Sequence, residues 1–341
     1  MDESAPTFTS NLAVVYLARF AEGLKPVVNF IDSYNRHEAG IAHDRVVIKK
    51  GFSGENTEQD KILRSFFPNV ISVSDEGFDI TAFAKAAAQL PHKHVVFLNT
   101  FSEIASDNWL AKLSLAVTGP AIGIAGATGS YESLHSSMKR LNRGLFQNQL
   151  LPSAARMRRL SRIARKLIPK PLANRLVAAV IAFSARRNRT KNDGMPDDQF
   201  ETFWERETMP GGTFEDLKTI PLYPNAHIRT NGFIIERQAF LDTLPNSIIT
   251  KRDTYLYESG PDSLTRQILR RGKKAVIVGR DGQSYSIDQW PRSRTFRLGD
   301  QRNLLVQDNQ TRAFDAMHNT EKQAFMEATW GDDHIDAAGQ A

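Results

Sequence analysis

A polar turn after the apolar run 95–98 carries side chains that could bind a hard cation or a phosphate. Only Glu103 in this turn has a charge, beside the neutral oxygens of Asn99 and Ser102. Mg²⁺ prefers oxygen ligands, and one carboxylate holds it weakly unless phosphates complete the coordination. The turn therefore predicts a weak metal site at Glu103, with a solvated residue near a helix start as the alternative.

Charged residues also follow other strands that the sequence predicts. Arg19 follows the first strand, and Asp75 and Asp79 flank Gly77 after the third. Carboxylates at such a turn could accept hydrogen bonds from the base or the ribose hydroxyls of a nucleotide, and a guanidinium could bind phosphate. Asp79 could equally cap the helix that follows it.

The elements that would position these residues are visible as an alternation of two patterns. Short β-branched runs alternate with segments of helical periodicity, which predicts an α/β fold with a mainly parallel sheet flanked by helices. Ligands of such sheets bind beyond the carboxyl ends of the strands, where the polar turns lie. The predicted strands are 12–17, 45–48, 70–73, 95–98, 121–124, 233–235 and 275–278, and the predicted helices lie near 55–66, 79–90, 107–117, from 237 onward and at 262–271.

Conventional nucleotide and metal motifs are absent from the sequence. It has no Walker loop, no GxGxxG fingerprint and no HExxH pair. The glycines of GIAGATG (Gly123, Gly126 and Gly129) are predicted to serve turns. His92 and His94 have no other ligand type at metal spacing, so we predict both at the surface.

Positive charge is concentrated in one part of the chain. The formal net charge is +6, from 44 Lys and Arg against 38 Asp and Glu. Between Lys139 and Lys191 there are 15 basic residues and no acidic one, which leaves 29 basic against 38 acidic residues elsewhere. The basic character is therefore a local property of segment 139–191.

Three interpretations of this basic segment stay open. Met157, Leu160 and Ala164 recur at helical spacing among arginines, which predicts a basic amphipathic helix. It could bind an anionic membrane surface, form a solvated lid over the site, or bind nucleic acid. Nucleic acid is the least favoured partner, because Phe146 and Phe183 are the only aromatic residues of the segment. Its apolar run 176–183 is short of the roughly 20 residues that a bilayer span needs.

Cellular location is indicated by two further features. The chain has no cysteine, which fits a reducing compartment. Its start, MDESAPTFTS, lacks the positive and apolar regions of a secretory signal. We therefore expect a cytoplasmic protein, peripheral at the inner membrane face if the basic segment binds lipid.

Three stretches stand in a suggestive order along the chain. They are VSDEGFDITAFAKAAAQLPHKHVVFLNTFSEIASDNWLAKL, then TNGFIIERQAF, then YESGPDSLTRQILRRGKKAVIVGRDG. In order and spacing they resemble the core of bacterial family-two glycosyltransferases with the GT-A fold, over the first 130 residues and roughly 225–285. The strand ending in Leu-Asn, the acceptor-side strand and the acidic pair before a helix carry the resemblance.

The resemblance implies a nucleotide-sugar donor, a saccharide or lipid-linked acceptor, and Mg²⁺ or Mn²⁺ held by an Asp-x-Asp turn. This chain has Asn99 and Phe101 at the two acidic positions, so metal-independent activity is an open alternative. The charge of the leaving group would then be met by basic side chains of the protein. The candidates are Arg19, Lys49, Lys50, Arg292, Arg294 and Arg297.

The resemblance and the residue types together predict roles for individual side chains. Glu258 would be the general base that takes the proton of the acceptor hydroxyl, with Asp262 as second candidate or as a helix N-cap. Trp290 beside Arg292 could stack on a sugar or base, or pack in the core. The predicted donor-binding residues are Arg19, Asp75, Asp79, Asn99 and Ser102, and the predicted acceptor-binding residues are His227, Arg229, Asn231, Trp290 and Arg292.

The function expected from this comparison is an inverting glycosyltransferase of cell-envelope polysaccharide or glycolipid synthesis. Residues 1–135 would form the nucleotide-sugar-binding half, 136–200 a basic helical insertion, 201–330 the acceptor-side half and 331–341 a flexible tail. The competing hypothesis is a non-catalytic GT-A-like scaffold that binds a membrane surface in the same assembly process, because the acidic turn is degenerate.

Overall fold

The computed structural model describes residues 8–53, 57–147 and 197–331. These residues form two compact units, which are described one at a time. The first unit contains residues 8–53, 57–130 and 226–315, and the second contains 131–147, 197–225 and 316–331.

The first unit is built on an eight-stranded mixed sheet with the strand order β11-β10-β6-β9-β4-β1-β2-β3. Strands β3, β2, β1 and β4 are parallel neighbours, β6 and β10 are parallel to each other, and β9 lies between β4 and β6 and runs antiparallel to both. The sheet strands are β1 (Leu12–Arg19), β2 (Asp44–Lys50), β3 (Asn69–Val73), β4 (His94–Leu98), β6 (Ile122–Gly126), β9 (Phe233–Glu236), β10 (Lys274–Val278) and β11 (Ser284–Tyr285). Short pairs outside it are β5 (Glu103–Ile104) with β12 (Val306–Gln307) and β7 (Gly129–Ser130) with β8 (His227–Ile228).

Helices of this unit connect the strands. Thr57 caps the second helix by accepting a hydrogen bond from the Asp60 amide at 3.1 Å, and Thr250 caps the helix that carries Glu258 through a capping box with Asp253. The helices are α1 (Leu24–Arg36), α2 (Glu58–Phe66), α3 (Asp79–Gln89), α4 (Trp109–Ala116), α7 (Arg237–Leu241), α8 (Lys251–Ser259), α9 (Leu264–Arg270) and α10 (Asn309–Asp315), while α5, α6 and α11 belong to the second unit.

The core lies against the central strands. From Leu12 to Ala18 every residue of β1 is buried, as expected for a parallel strand that is covered on both faces. Tyr16 stacks on Phe30 with ring centroids 3.9 Å apart, and Phe67 continues the stack at 5.8 Å from Tyr16. Burying large aromatic side chains fixes α1 and the end of α2 on one face of β1.

The predicted fold class, a mainly parallel α/β sheet flanked by helices, is confirmed. The predicted strands 12–17, 45–48, 70–73, 95–98, 121–124, 233–235 and 275–278 correspond to β1, β2, β3, β4, β6, β9 and β10. Three helices near the site were missed, α1, α8 and α10. Glu258 therefore lies in the last turn of a helix and not in a loop.

The prediction that both His92 and His94 are surface residues is wrong for His92. The His92 side chain is fully buried, with Nε2 2.9 Å from Asp44 Oδ2. Asp44 also accepts hydrogen bonds from the Thr9 and Ser10 amides at 2.9 Å. Burial opposes ionisation of Asp44, but these hydrogen bonds outweigh it and lower the pKa of the carboxyl. The histidine thus helps to fix the start of β2.

The prediction that the GIAGATG glycines serve turns is also wrong. Gly126 and Gly129 lie in β6 and β7 and have ordinary backbone angles. A Cβ at Gly126 would lie 2.7 Å from Cγ2 of Ile228, and one at Gly129 would lie 3.0 Å from the Trp290 ring. Glycine is required at these positions because close packing leaves no room for a side chain, and not because of turn geometry.

The second unit contains α5 (Leu134–Gln147), α6 (Asp197–Thr208) and α11 (Asn319–Trp330). Phe146 contacts Phe200 and Phe203 at centroid distances of 5.6 and 5.4 Å, and Trp204 stacks on Phe214 at 5.3 Å. These aromatic side chains hold α5 and α6 together. The predicted amphipathic helix around 156–168 lies outside the described residues, so the insertion 136–200 stays a proposal.

Among the helices of residues 8–53, 57–147 and 197–331, none combines the length and the hydropathy that a bilayer span requires.

Candidate active site at the carboxyl edge of the sheet

The antiparallel strand β9 brings the loop before it to the carboxyl ends of β1 and β4. The Gly232 amide donates to the Phe97 carbonyl at 2.9 Å, which places Asn231 directly over the turn that follows β4. Asn231 Oδ1 accepts from the Asn99 amide at 2.9 Å and from the Ser102 hydroxyl at 2.7 Å. Loops more than a hundred residues apart in sequence are therefore held at one edge of the sheet.

The turn itself is further tied to β1. The Tyr16 hydroxyl donates to the Thr100 carbonyl at 2.9 Å, and the Thr100 hydroxyl donates to the Leu17 carbonyl at 2.8 Å. Asn99 Oδ1 accepts from the Phe101 amide at 3.0 Å, which closes an Asx turn. The predicted donor residues Asn99 and Ser102 thus have their side chains engaged in holding the turn.

A buried ion pair stabilises the loop that contains Asn231. Arg229 Nη2 lies 2.8 Å from Asp308 Oδ2, and the Arg229 guanidinium lies 4.0 Å from the centre of the Phe296 ring. Asn231 Nδ2 donates to the same Asp308 oxygen at 3.4 Å. Burial opposes ionisation of Asp308, but the charge of Arg229 and its hydrogen bonds lower the pKa of this carboxyl.

Glu258 lies on the other side of the same loop. Its Oε1 accepts hydrogen bonds from the Thr230 amide at 2.9 Å and from the Thr230 hydroxyl at 3.0 Å. Among the described residues, no hydrogen bond reaches Oε2. The carboxylate is therefore fixed through one oxygen, Oε1.

Asp79 is the first residue of α3, the helix that follows β3. Burial raises the pKa of the Asp79 carboxyl above its ordinary value; Arg19 and Lys50 oppose this rise, and Glu22 and Glu258 add to it. These four groups therefore lie within electrostatic reach of Asp79. Asp79 is not the N-cap of α3, because Phe78 occupies that position.

The basic side chains after β1 and β2 differ in accessibility. Arg19 pairs with Glu22 at 3.2 Å and keeps about a third of its side chain exposed. Lys50 is buried and donates to the Asp75 carbonyl at 2.6 Å and to its carboxylate at 3.0 Å. Lys49 is buried in an ion pair with Asp60 under the sheet, so the suggestion that it meets a leaving-group charge is wrong.

The residues of the β4 turn do not fit a divalent cation. Glu103 Oε1 accepts from Asn29 Nδ2 at 3.1 Å and lies 3.0 Å from Arg312 Nη1. Asn99 Oδ1 accepts from the Phe101 amide and the Ser102 hydroxyl donates to Asn231 Oδ1, so Glu103 is the one carboxylate of the turn, and it is paired with Arg312. Across the part of the chain that the structure describes, no group of three His, Cys, Asp or Glu residues could hold a metal ion.

Several predicted residues lie away from this edge or are enclosed. Asp262 forms an exposed ion pair with Arg270 and does not cap α9, where Ser263 is the N-cap. Trp290 is fully buried and donates its indole N–H to the Tyr285 carbonyl at 3.1 Å, so the core-packing alternative holds. Arg292 is exposed next to it, and His227 is buried in β8.

Some residues of the edge were missed by the sequence analysis. Phe20 follows Arg19, is 43% exposed, and lies edge-on to Phe52 at a centroid distance of 5.3 Å. An exposed phenylalanine directly after a buried strand is a signal that could have been noticed. Asp308 and Arg312 gave no comparable signal, because their partners are distant in sequence.

Comparison with known proteins gives partial structural matches. No family model matches the chain. No curated protein matches it either. A mannosyltransferase from Pyrobaculum calidifontis, solved with GDP-Man and Mn²⁺, is 14% identical over 36% of this chain and 36% of that one, with a TM-score of 0.28. TarS from S. aureus is 14% identical over 34% of this chain and 21% of that one, with a TM-score of 0.28.

A third solved structure is glucosyl-3-phosphoglycerate synthase from Mycobacterium tuberculosis, with Mn²⁺, UDP and phosphoglyceric acid. It is 18% identical over 36% of this chain and 48% of that one, with a TM-score of 0.26. The chain therefore spans less than half the length of each of these three proteins.

The buried Arg229–Asp308 pair gives a prediction about stability. Replacing Asp308 by Leu leaves Arg229 buried without its partner, so the free energy of unfolding should fall by about 3–5 kcal/mol at pH 7. The double variant with Arg229→Met should recover part of the loss in a double-mutant cycle measured by urea unfolding. Because the pKa of Asp308 is lowered in the folded protein, the pair stabilises the protein fully at pH values above the ordinary Asp pKa of about 3.9. This stabilisation is lost as the pH falls below that value and Asp308 becomes protonated.

The control for this cycle is Asp32→Leu, since Asp32 is exposed on α1. It should change stability by less than about 0.5 kcal/mol. Strict additivity of the two single losses at pH 7, with no recovery in the double variant, would contradict the assigned pairing.

Proposed function

We propose that the chain is a glycosyltransferase that moves a sugar from a nucleotide-sugar donor to a saccharide or lipid-linked acceptor, with inversion. The observation that carries the proposal is that one loop, through Asn231 and Thr230, holds both the β4 turn and Glu258 at the same edge of the sheet. Asp79 is within electrostatic reach of Glu258, and Asn231, next to Thr230, holds the turn. Ligands of parallel sheets bind at this edge.

The donor would lie over β1 and β2. The exposed face of Phe20 offers a surface on which a base can stack, and Arg19 next to it can bind a phosphate oxygen. Asp79, whose carboxyl has a raised pKa, can donate to or accept from a base or ribose group according to its protonation state. These contacts orient the donor without assigning a particular nucleotide.

The reaction would proceed at the second oxygen of Glu258. The acceptor hydroxyl attacks the anomeric carbon, the bond between that carbon and the diphosphate oxygen breaks, and the electron pair leaves with the diphosphate. Glu258 Oε2 takes the hydroxyl proton as the new bond forms. Thr230 holds Oε1 through two hydrogen bonds, which orients the carboxylate without occupying both oxygens.

The alternative is a non-catalytic scaffold with the same fold. The pairing of Glu103 with Arg312 favours it, because the turn that holds a metal in the resembling enzymes has no free carboxylate here. A scaffold needs neither a nucleotide nor a base, so the two proposals differ in what they bind.

Nucleotide binding should distinguish an enzyme from a scaffold. We expect at least one of UDP, GDP, dTDP and CMP to raise the melting temperature in a thermal-shift assay, because a ligand that binds only the folded state stabilises it. Equal melting temperatures with all four nucleotides at millimolar concentration, with and without Mn²⁺, would leave the scaffold as the better proposal.

The proposed base gives a second prediction. Glu258→Gln should lower the turnover number about 10²–10⁴-fold, because the amide cannot accept the proton, while the nucleotide-dependent thermal shift stays the same. Asp262→Asn should lower turnover by less than about twofold, since an exposed pair contributes little. Unchanged turnover in Glu258→Gln would remove Glu258 as the base, and a selective loss in Asp262→Asn would replace it by Asp262.

The acceptor would be presented at a membrane surface. Segment 139–191 supplies 15 basic residues, each worth about 1 kcal/mol at an anionic surface when it reaches the lipid. We expect the protein to co-sediment with vesicles that contain anionic lipid and not with neutral vesicles. High salt should abolish this binding.

A charge-matched pair of variants makes this vesicle test specific. Changing Arg156, Arg158, Arg159 and Arg162 to Gln should weaken binding, whereas the same change at Arg270, Arg271, Lys273 and Lys274 removes equal charge from another segment and should not. Equal losses in the two variants, or binding to neutral vesicles, would end the membrane proposal.

A further inference from the structure

Arg312 spans the turn after β4. Its Nη1 lies 3.0 Å from Glu103 Oε1, and its Nη2 donates to the Phe101 carbonyl at 3.2 Å. Nη1 is buried, and the side chain as a whole is 35% exposed. A guanidinium has five donors and stays charged at every physiological pH, and the hydrogen bond to the Phe101 carbonyl uses one of them.

Two separate devices place Arg312 at this turn. The short strands β5 and β12 pair there, with Gln307 opposite Glu103. Asp308 then caps α10, accepting from the Gln310 and Thr311 amides at 2.9 Å each. The guanidinium is therefore delivered by backbone pairing and a helix cap, and it does not depend on the ion pair alone.

We propose that Arg312 performs the task of the divalent cation and neutralises the diphosphate of the leaving group. The inference deepens the proposed function and rests on it. As the bond between the anomeric carbon and the diphosphate oxygen breaks, negative charge grows on that oxygen, and Arg312 donates hydrogen bonds to it. No metal ion is required, because the turn's single carboxylate already has a permanent cation as its partner.

Glu103 has a defined part in this arrangement. It is 22% exposed and is held by Asn29, so it keeps Arg312 over the turn before a nucleotide binds. A diphosphate competes with Glu103 for the same guanidinium. Removal of the Glu103 charge therefore should not weaken nucleotide binding, whereas removal of the Arg312 charge should.

The test measures the binding of UDP, GDP, dTDP and CMP by calorimetry to the full chain, in EDTA and in Mn²⁺. The variants are Arg312→Gln, Arg312→Lys, Glu103→Gln and, as the matched control, Arg302→Gln. Arg302 is exposed on the same unit and has no part in the site. Melting temperatures establish that each variant is folded.

The inference expects the wild-type protein to bind a nucleoside diphosphate in EDTA as tightly as in Mn²⁺. Arg312→Gln should weaken this binding at least tenfold, Arg302→Gln should leave it within twofold, and Glu103→Gln should leave it equal or tighter. Arg312→Lys, which keeps the charge, should lose less than Arg312→Gln.

Three results would overturn the inference. The first is nucleotide binding that requires Mn²⁺ and is unchanged in Arg312→Gln. The second is an equal loss of affinity in Arg312→Gln and Glu103→Gln, which would mark a structural ion pair. The third is a loss of affinity in Arg302→Gln as large as that in Arg312→Gln. If Arg312→Gln does not fold, the sign of the Glu103→Gln effect decides. A wild-type protein that binds none of the nucleotides would instead refute the proposed function itself.

Discussion

One buried carboxylate, that of Asp308, holds together the parts of the site that come from different regions of the chain. It pairs with Arg229 at 2.8 Å, accepts from Asn231 at 3.4 Å, and accepts from two amides at the start of α10. In a low-dielectric interior such hydrogen bonds are strong, and an unsatisfied partner is costly. The loop over the β4 turn and the helix that carries Arg312 therefore depend on the same side chain.

Most strands of the sheet could be predicted because a strand that is buried on both faces has a recognisable run of apolar residues. Strands such as β1 and β4 are buried on both faces, so each is a short run of apolar β-formers that can be recognised without its neighbours. Helix α1 was missed: its buried face is Val27, Phe30 and Ser33, a narrow stripe among polar residues. The antiparallel direction of β9 cannot be read from its four residues, since direction is set by the partner strands.

The site was predictable only where a single segment supplies the chemistry. Asp79 and Asn99 each follow a strand that the sequence predicts, and their position at the edge follows from the strand. The contacts of Glu103 with Arg312 and of Asp44 with His92 join residues far apart in the chain, which no local pattern reports. For Trp290 the local sequence was misleading. The arginines around it suggested a ring that stacks on a ligand, but the ring is packed against Gly129 in the core.

The central position of β9 has a consequence for synthesis of the chain. In the part of the chain that the structure describes, β6 pairs with β9 and β10, and β9 completes one side of β4, so β4 and β6 lack these partners until residues from Phe233 onward have been made. At a translation rate of about 5–20 residues per second, the interval is roughly 5–20 s. During that time a growing polypeptide presents open strand edges, which other chains can pair with. The order of elements therefore leaves the inner strands β4 and β6 with unpaired edges until β9 has been made.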